Sequence, residues 1–127
     1  MRRLMVALVV LAFSVGPAVT LAAEEQSPTS GTFSNAGRLA EGRYMHTATL
    51  LPDGRVLVIG GQANGGGYRA SAEVWDPATA TFGPAGSLAE ARDYHSATLL
   101  PDGRVLVIGG WAQSAEVWDP QPPSTTE

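Results

Sequence analysis

Two histidines, His46 and His95, are the side chains best suited to acid–base or metal chemistry, and they stand 49 residues apart. Each opens the same apolar phrase, but only His95 follows a tyrosine, Tyr94; His46 follows Met45. Charged residues recur with them. Arg43 and Arg92 precede the two phrases, and Glu73 and Glu116 follow them. A rim of such charges can grip a polar ligand. The reading we favour is ion pairing between strands, because polar groups beside dry strands need partners. The same reasoning makes each histidine open a strand and bond a neighbouring backbone group. Asp53, Asp102, Asp76 and Asp119 all sit in turn motifs, which account for them without a catalytic or calcium role.

Gly65-Gly66-Gly67 has the composition of a phosphate cradle. It lacks the Gly-Lys-Ser/Thr ending and leads into no helical pattern, so it reads as a connection of tolerated length. Asn64, Tyr68 and Arg69 lie in that connection, and Trp111 lies in its shorter counterpart. Tyr, Arg and Trp dominate binding hot spots, which makes these four residues the expected contact surface. No Ser-His-Asp set and no carboxylate pair has a catalytic spacing, so no catalytic residue is assigned.

Composition narrows the chemistry further. The chain has 127 residues, 12 acidic and 8 basic side chains, 15 Gly, 9 Pro and no Cys; every basic residue is arginine. Without Cys there is no disulfide, thiolate zinc site, iron–sulfur cluster or thiol nucleophile. A net charge of −4 without lysine is a poor match for a phosphate backbone, so nucleic acid is not an expected partner.

The elements that must hold these residues follow from the order of the chain. Met1-Arg2-Arg3 is basic, Leu4 to Val15 is almost wholly apolar, and small residues lead up to Ala22-Ala23. That is the pattern of a secretory signal peptide over residues 1–23, with cleavage after Ala22 or Ala23. The apolar run is short of the roughly 20 residues that span a bilayer. The expected protein is therefore secreted or periplasmic, with no stable membrane anchor. Residues 24–31 read as a flexible spacer and 121–127 as a polar tail.

Residues 32–120 state one motif twice. The sixteen residues His46–Gly61 return as His95–Gly110 with a single change, Thr47 to Ser96. Thr32-Phe33 aligns with Thr81-Phe82, and Leu39-Ala40-Glu41 with Leu88-Ala89-Glu90. Ser71–Pro77 returns as Ser114–Pro120, after a linker that shrinks from nine residues (Gln62–Ala70) to three (Trp111–Gln113). A period of 40–50 residues points to propellers or arrays. Each unit reads as four strands, in the first unit Met45–Leu51, Arg55–Ile59, Ser71–Trp75 and Thr81–Ala85. Val56-Leu57-Val58-Ile59 does not alternate, so both of its faces are expected to be dry. Pro52-Asp53-Gly54 and Asp76-Pro77 supply the turns. The predicted fold is all-β.

The Gly-Gly pair after four apolar residues, the aromatic of the third strand and the aromatic after the next turn resemble a kelch repeat. Phe82 and Phe33 stand where the usual fourth-strand Trp would be. Leu-Leu-Pro-Asp-Gly-Arg-Val further resembles units of the galactose-oxidase-like β-propellers. The resemblance covers roughly Thr32 to Pro120 and implies kelch-type β-propeller blades. It also implies a possible copper pair, since in that family a Tyr-His pair in this setting ligates copper; Tyr94 and His95 match it. The Cys and the further His and Tyr of that centre have no counterpart here.

The strand count gives one lone strand (Thr32–Ala36), one full set of four, and three more. Two blades do not close a ring, and each would leave an apolar outer face. Three arrangements satisfy this: a piece of a longer propeller, a ring of copies in which each lends its Thr32-Phe33 strand to the next, or two sheets packed as a sandwich. The expected function is a non-catalytic scaffold or binding module that engages protein or glycan through blade loops, without a cofactor. The alternatives are part of a copper radical oxidase and a purely structural, self-assembling blade pair.

Overall fold

Alternation and turn chemistry decide where the strands begin and end. In the computed structural model, residues 5–10, 19–24 and 30–121 are described, the first two stretches by their backbone alone. The chain divides into two units, Met1–Ser34 and Asn35–Glu127. In the first, β1 (Met5–Val10) and β2 (Val19–Glu24) pair antiparallel from Met5↔Glu24 to Val10↔Val19. Except for Glu24, this hairpin lies within the segment read as a signal peptide. Most of the predicted spacer, and the tail beyond Gln121, fall outside the described residues.

The second unit is all-β, with no helix among the described residues. One antiparallel sheet takes β3 (Thr47–Leu50), β4 (Val56–Ile59), β5 (Ser71–Asp76) and β6 (Thr81–Ser87) in sequence order. The other takes β7 (His95–Leu99), β8 (Val105–Gly109) and β9 (Ala115–Trp118). Neither sheet closes, and β7, β8 and β9 repeat β3, β4 and β5, with no described counterpart of β6. The Pro-Asp-Gly turn works as its chemistry predicts. Gly54 adopts φ +88°, its N–H donates to Leu51 O at 3.0 Å, and Leu51 N–H donates to Arg55 O at 2.8 Å. Gly103, Leu100 and Arg104 repeat this with the same two distances, 3.0 and 2.8 Å. Such a three-residue loop, with glycine in the left-handed region, matches the twist of a hairpin.

Two expectations about strands are corrected. The first strand of each unit starts later than the apolar pattern suggests, because Met45 and Tyr94 adopt φ +55° and +51° and break the extended backbone just before it. Thr32–Ala36 is not a strand. A strand needs a neighbour to satisfy its backbone groups, and neither sheet pairs with these residues.

Leu51, Leu57, Ile59 and Ala72 of the first sheet join Val105 and Val107 of the second in one buried cluster, with Val74, Ala85, Leu88, Ala97 and Trp118 packed against it. Side chains alternate along a strand, so the first sheet contributes the Leu57/Ile59 face of β4. The second contributes the opposite face of β8, since Val105 and Val107 are the counterparts of Val56 and Val58. Unlike faces therefore meet, in a head-to-tail stack. Burying each such Leu, Ile or Val contributes roughly 1.5–3 kcal/mol. The expectation of two bare outer faces holds only in part. Val58, on the far side of the first sheet, is buried, whereas Ile108, on the far side of the second, is 46% exposed.

Gly60 permits the stack. Its φ is +63°, and a β-carbon built on it would lie 2.5 Å from Arg92 O and 2.9 Å from Cε1 of His95. A side chain here would force the two repeats apart.

Candidate binding surface

The antiparallel order places four connections at one end of the sheets: residues 40–46, 60–70, 88–94 and 110–114. Every candidate residue of the sequence lies in this end or at its border. Its polar framework is the pair of arginines. Arg43, whose side chain is fully buried, donates from Nη1 to Gly60 O (2.9 Å) and Ser71 O (2.7 Å). From Nη2 it donates to Ser71 Oγ (3.0 Å) and Glu73 Oε2 (2.9 Å). Glu73 is buried too and accepts from Ala40 N–H at 2.7 Å. Arg92 repeats the set on Gly109 O, Ser114 O, Ser114 Oγ and Glu116 Oε2, at 3.3, 2.7, 2.9 and 2.8 Å. Burial pushes the Glu116 carboxyl up, but the Ala89 and Glu90 amides and the Arg92 guanidinium outweigh it and hold its pKa below the usual value. The four charges are thus committed to one another and to the backbone, and they form no free ligand-gripping rim.

His95 is buried between the repeats, with Nε2 2.8 Å from Thr47 Oγ1. That partner is a hydroxyl of the neighbouring repeat. Burial, then the Arg92 guanidinium, lowers its pKa, with Asp93 opposing. Tyr94, by contrast, is 69% exposed. Of the Tyr-His pair, His95 Nε2 thus already has the Thr47 hydroxyl as partner, His95 Nδ1 is buried without one, and the Tyr94 phenol stands in solvent. Among the described residues no group of three or more His, Asp or Glu could hold a metal ion.

The four predicted contact residues divide. Tyr68 and Trp111 come together, their ring centroids 6.4 Å apart and tilted by 38°, although the sequence places them in different repeats. Trp111 is 74% exposed and Tyr68 47%. Asn64 is exposed beside the open Gly65–Gly67 tip. Arg69 is not available in the same way. Its Nε donates to Gly42 O at 2.9 Å and its Nη1 meets Glu41 at 3.1 Å, so it braces the loop.

Sequence reasoning missed Tyr44. Its backbone bridges to Gln62, which bridges to Tyr68, and its side chain is exposed. Tyr94 N–H donates to Met45 O at 3.3 Å, which ties the second repeat to the same patch. All three tyrosines of the chain and one of its three tryptophans are thus exposed at one end. The missed signal was their common position just before or after a strand on that side. No family model matches the chain, and no curated protein matches it.

Proposed function

We propose that this chain is a secreted, non-catalytic kelch-repeat module that binds a glycan or protein through the aromatic end of its sheets. The observation that carries this reading is the exposure of Tyr44, Tyr68, Tyr94 and Trp111 at one end, where Tyr68 and Trp111 make an aromatic pair. Aromatic faces offer large contact area at low entropy cost, and hydroxyl and indole groups add polar handles. Asn64 adds an amide donor and acceptor beside them. The repeat pattern supports kelch-type blades, and the basic-apolar-small start supports export. The two arginine–glutamate sets stiffen the strand ends from which the loops project, which suits recognition better than reaction.

The test is a fluorescence and calorimetric titration of the protein with soluble oligosaccharides and with candidate extracellular proteins, repeated with Trp111→Ala and Tyr68→Ala. The expected result is a ligand whose binding falls about tenfold or more in both variants, in the range of hot-spot truncations. A ligand bound equally well by both variants places recognition elsewhere and overturns the proposal.

A further inference from the structure

The two repeats are near-identical, so each measures what the other lacks. Ile59 is 1% exposed under the second repeat; its counterpart Ile108 is 46% exposed, with Val117 beside it at 47%. A β-carbon on Gly60 would strike Arg92 O and His95; one on Gly109 would meet nothing within 4 Å. His95 is buried against Thr47; its counterpart His46 is exposed, and so is Ser96, the counterpart of Thr47. The single substitution in the sixteen-residue motif thus retains the hydroxyl that the histidine meets. The far side of the second sheet has the residues of a covered face, and the far side of the first has the residues that cover one.

The outer edges complement each other as well. Trp118 Nε1 donates to Ala85 O on β6, the outer strand of the preceding sheet, at 2.9 Å. Trp75 makes the same bond, at 2.9 Å, to Ala36 O. Ala36 is therefore held where the outer strand of a preceding sheet belongs, while β9 has no outer strand among the described residues. A groove of about 540 Å³ opens between β6 and β9, lined in part by Val74, Ala85, Leu88, Val117 and Trp118.

We infer that a second copy of this chain docks head to tail on the Ile108 face, seating its His46 against Ser96 and its residues 32–36 along the free edge of β9. The pairing of β5 with β6 fixes the register. Val74↔Gly83, Trp75↔Phe82 and Asp76↔Thr81 become Val117↔Ser34, Trp118↔Phe33 and Asp119↔Thr32 between copies. This unlike-face contact propagates, and it ends when a ring closes. At two sheets per copy, the usual four to eight blades need about two to four copies. The residues it docks, Ile108, Ser96, His46 and 32–36, are not the exposed aromatics Tyr44, Tyr68, Tyr94 and Trp111, so the crosslinking test is read apart from ligand binding.

The absence of cysteine makes the register directly testable. Single variants Ser34→Cys and Val117→Cys of the full chain, distinguished by a tag, are mixed and oxidised. Directly opposed residues of an antiparallel pair lie within disulfide reach. The expected result is a mixed S34C–V117C dimer in excess over either homodimer, and wild-type protein that sediments as a discrete multimer. Ile108→Glu alters a residue exposed in the single chain, and Gly109→Asn a half-buried one where an added β-carbon meets nothing within 4 Å; both should weaken assembly about 30-fold or more, with an unchanged circular dichroism spectrum. Wild-type protein that stays monomeric at high concentration overturns the inference. So does a multimer that survives Ile108→Glu, or one that crosslinks no better through the mixed pair than through like pairs.

Discussion

Replacing Arg43 by methionine tests whether the buried arginine sets hold the sheets together. The substitution keeps much of the side chain's volume and removes four hydrogen bonds, to Gly60 O, Ser71 O, Ser71 Oγ and Glu73. It leaves Glu73 as a buried carboxylate whose remaining donors are the Ala40 and Glu41 amides. Stranding one member of a buried pair costs about 3–5 kcal/mol, a large share of the roughly 5–15 kcal/mol that stabilises a small domain. With a urea slope of about 2 kcal/mol/M, the midpoint should fall by roughly 2 M. Tryptophan fluorescence against urea reads this directly, since Trp75 lies on the same strand as Glu73. The double variant Arg43→Met/Glu73→Leu removes the stranded charge and should recover much of the loss. A single variant within about 0.5 kcal/mol of wild type, or a double variant as unstable as the two singles summed, would refute the reasoning.

Acid should weaken the protein through His95, whose folded-state pKa lies below its ordinary 6.5 because burial disfavours the imidazolium. The unfolded chain takes up this proton near pH 6.5 and the folded chain only lower down. The His95 contribution is thus complete above 6.5 and is lost as pH falls through the depressed value. Urea midpoints at stepped pH should show this slope, and His95→Gln should flatten it. Gly60→Ala should cost well over the roughly 1 kcal/mol expected of Gly54→Ala: both backbones are left-handed, but only Gly60 faces a carbonyl oxygen at 2.5 Å, whereas Gly54 has nothing nearer than 3.9 Å. Thermal melts of the two variants make the comparison. Trp111→Ala should change stability by no more than about 0.5 kcal/mol, as an exposed loop residue should, while it removes the quenchable, solvent-exposed part of the tryptophan emission.

The strands were legible because their signals are local and repeated. Val56-Leu57-Val58-Ile59 and Pro52-Asp53-Gly54 specify a strand and a turn without reference to the rest of the chain. The arginine–glutamate pairing was also legible, since both members recur at matching places. Thr32–Ala36 has the sequence of an outer strand, but a strand is a relation between two segments, and neither sheet supplies the second. Arg69 looked like a contact residue by type; only the fold brings Glu41 and Gly42 to it. The approach of Tyr68 to Trp111 depends on how two loops of unequal length fold back, which no spacing encodes.

The carbonyls that each buried guanidinium grasps have a consequence of their own. Gly60 and Ser71 stand at the two feet of the nine-residue loop, Gly109 and Ser114 at those of the three-residue one, and in each repeat one arginine bridges them. The clasp fixes the gap whatever spans it. Insertions and deletions between the feet are thereby uncoupled from the stability of the strands, and this end of the molecule becomes a socket into which foreign segments can be grafted.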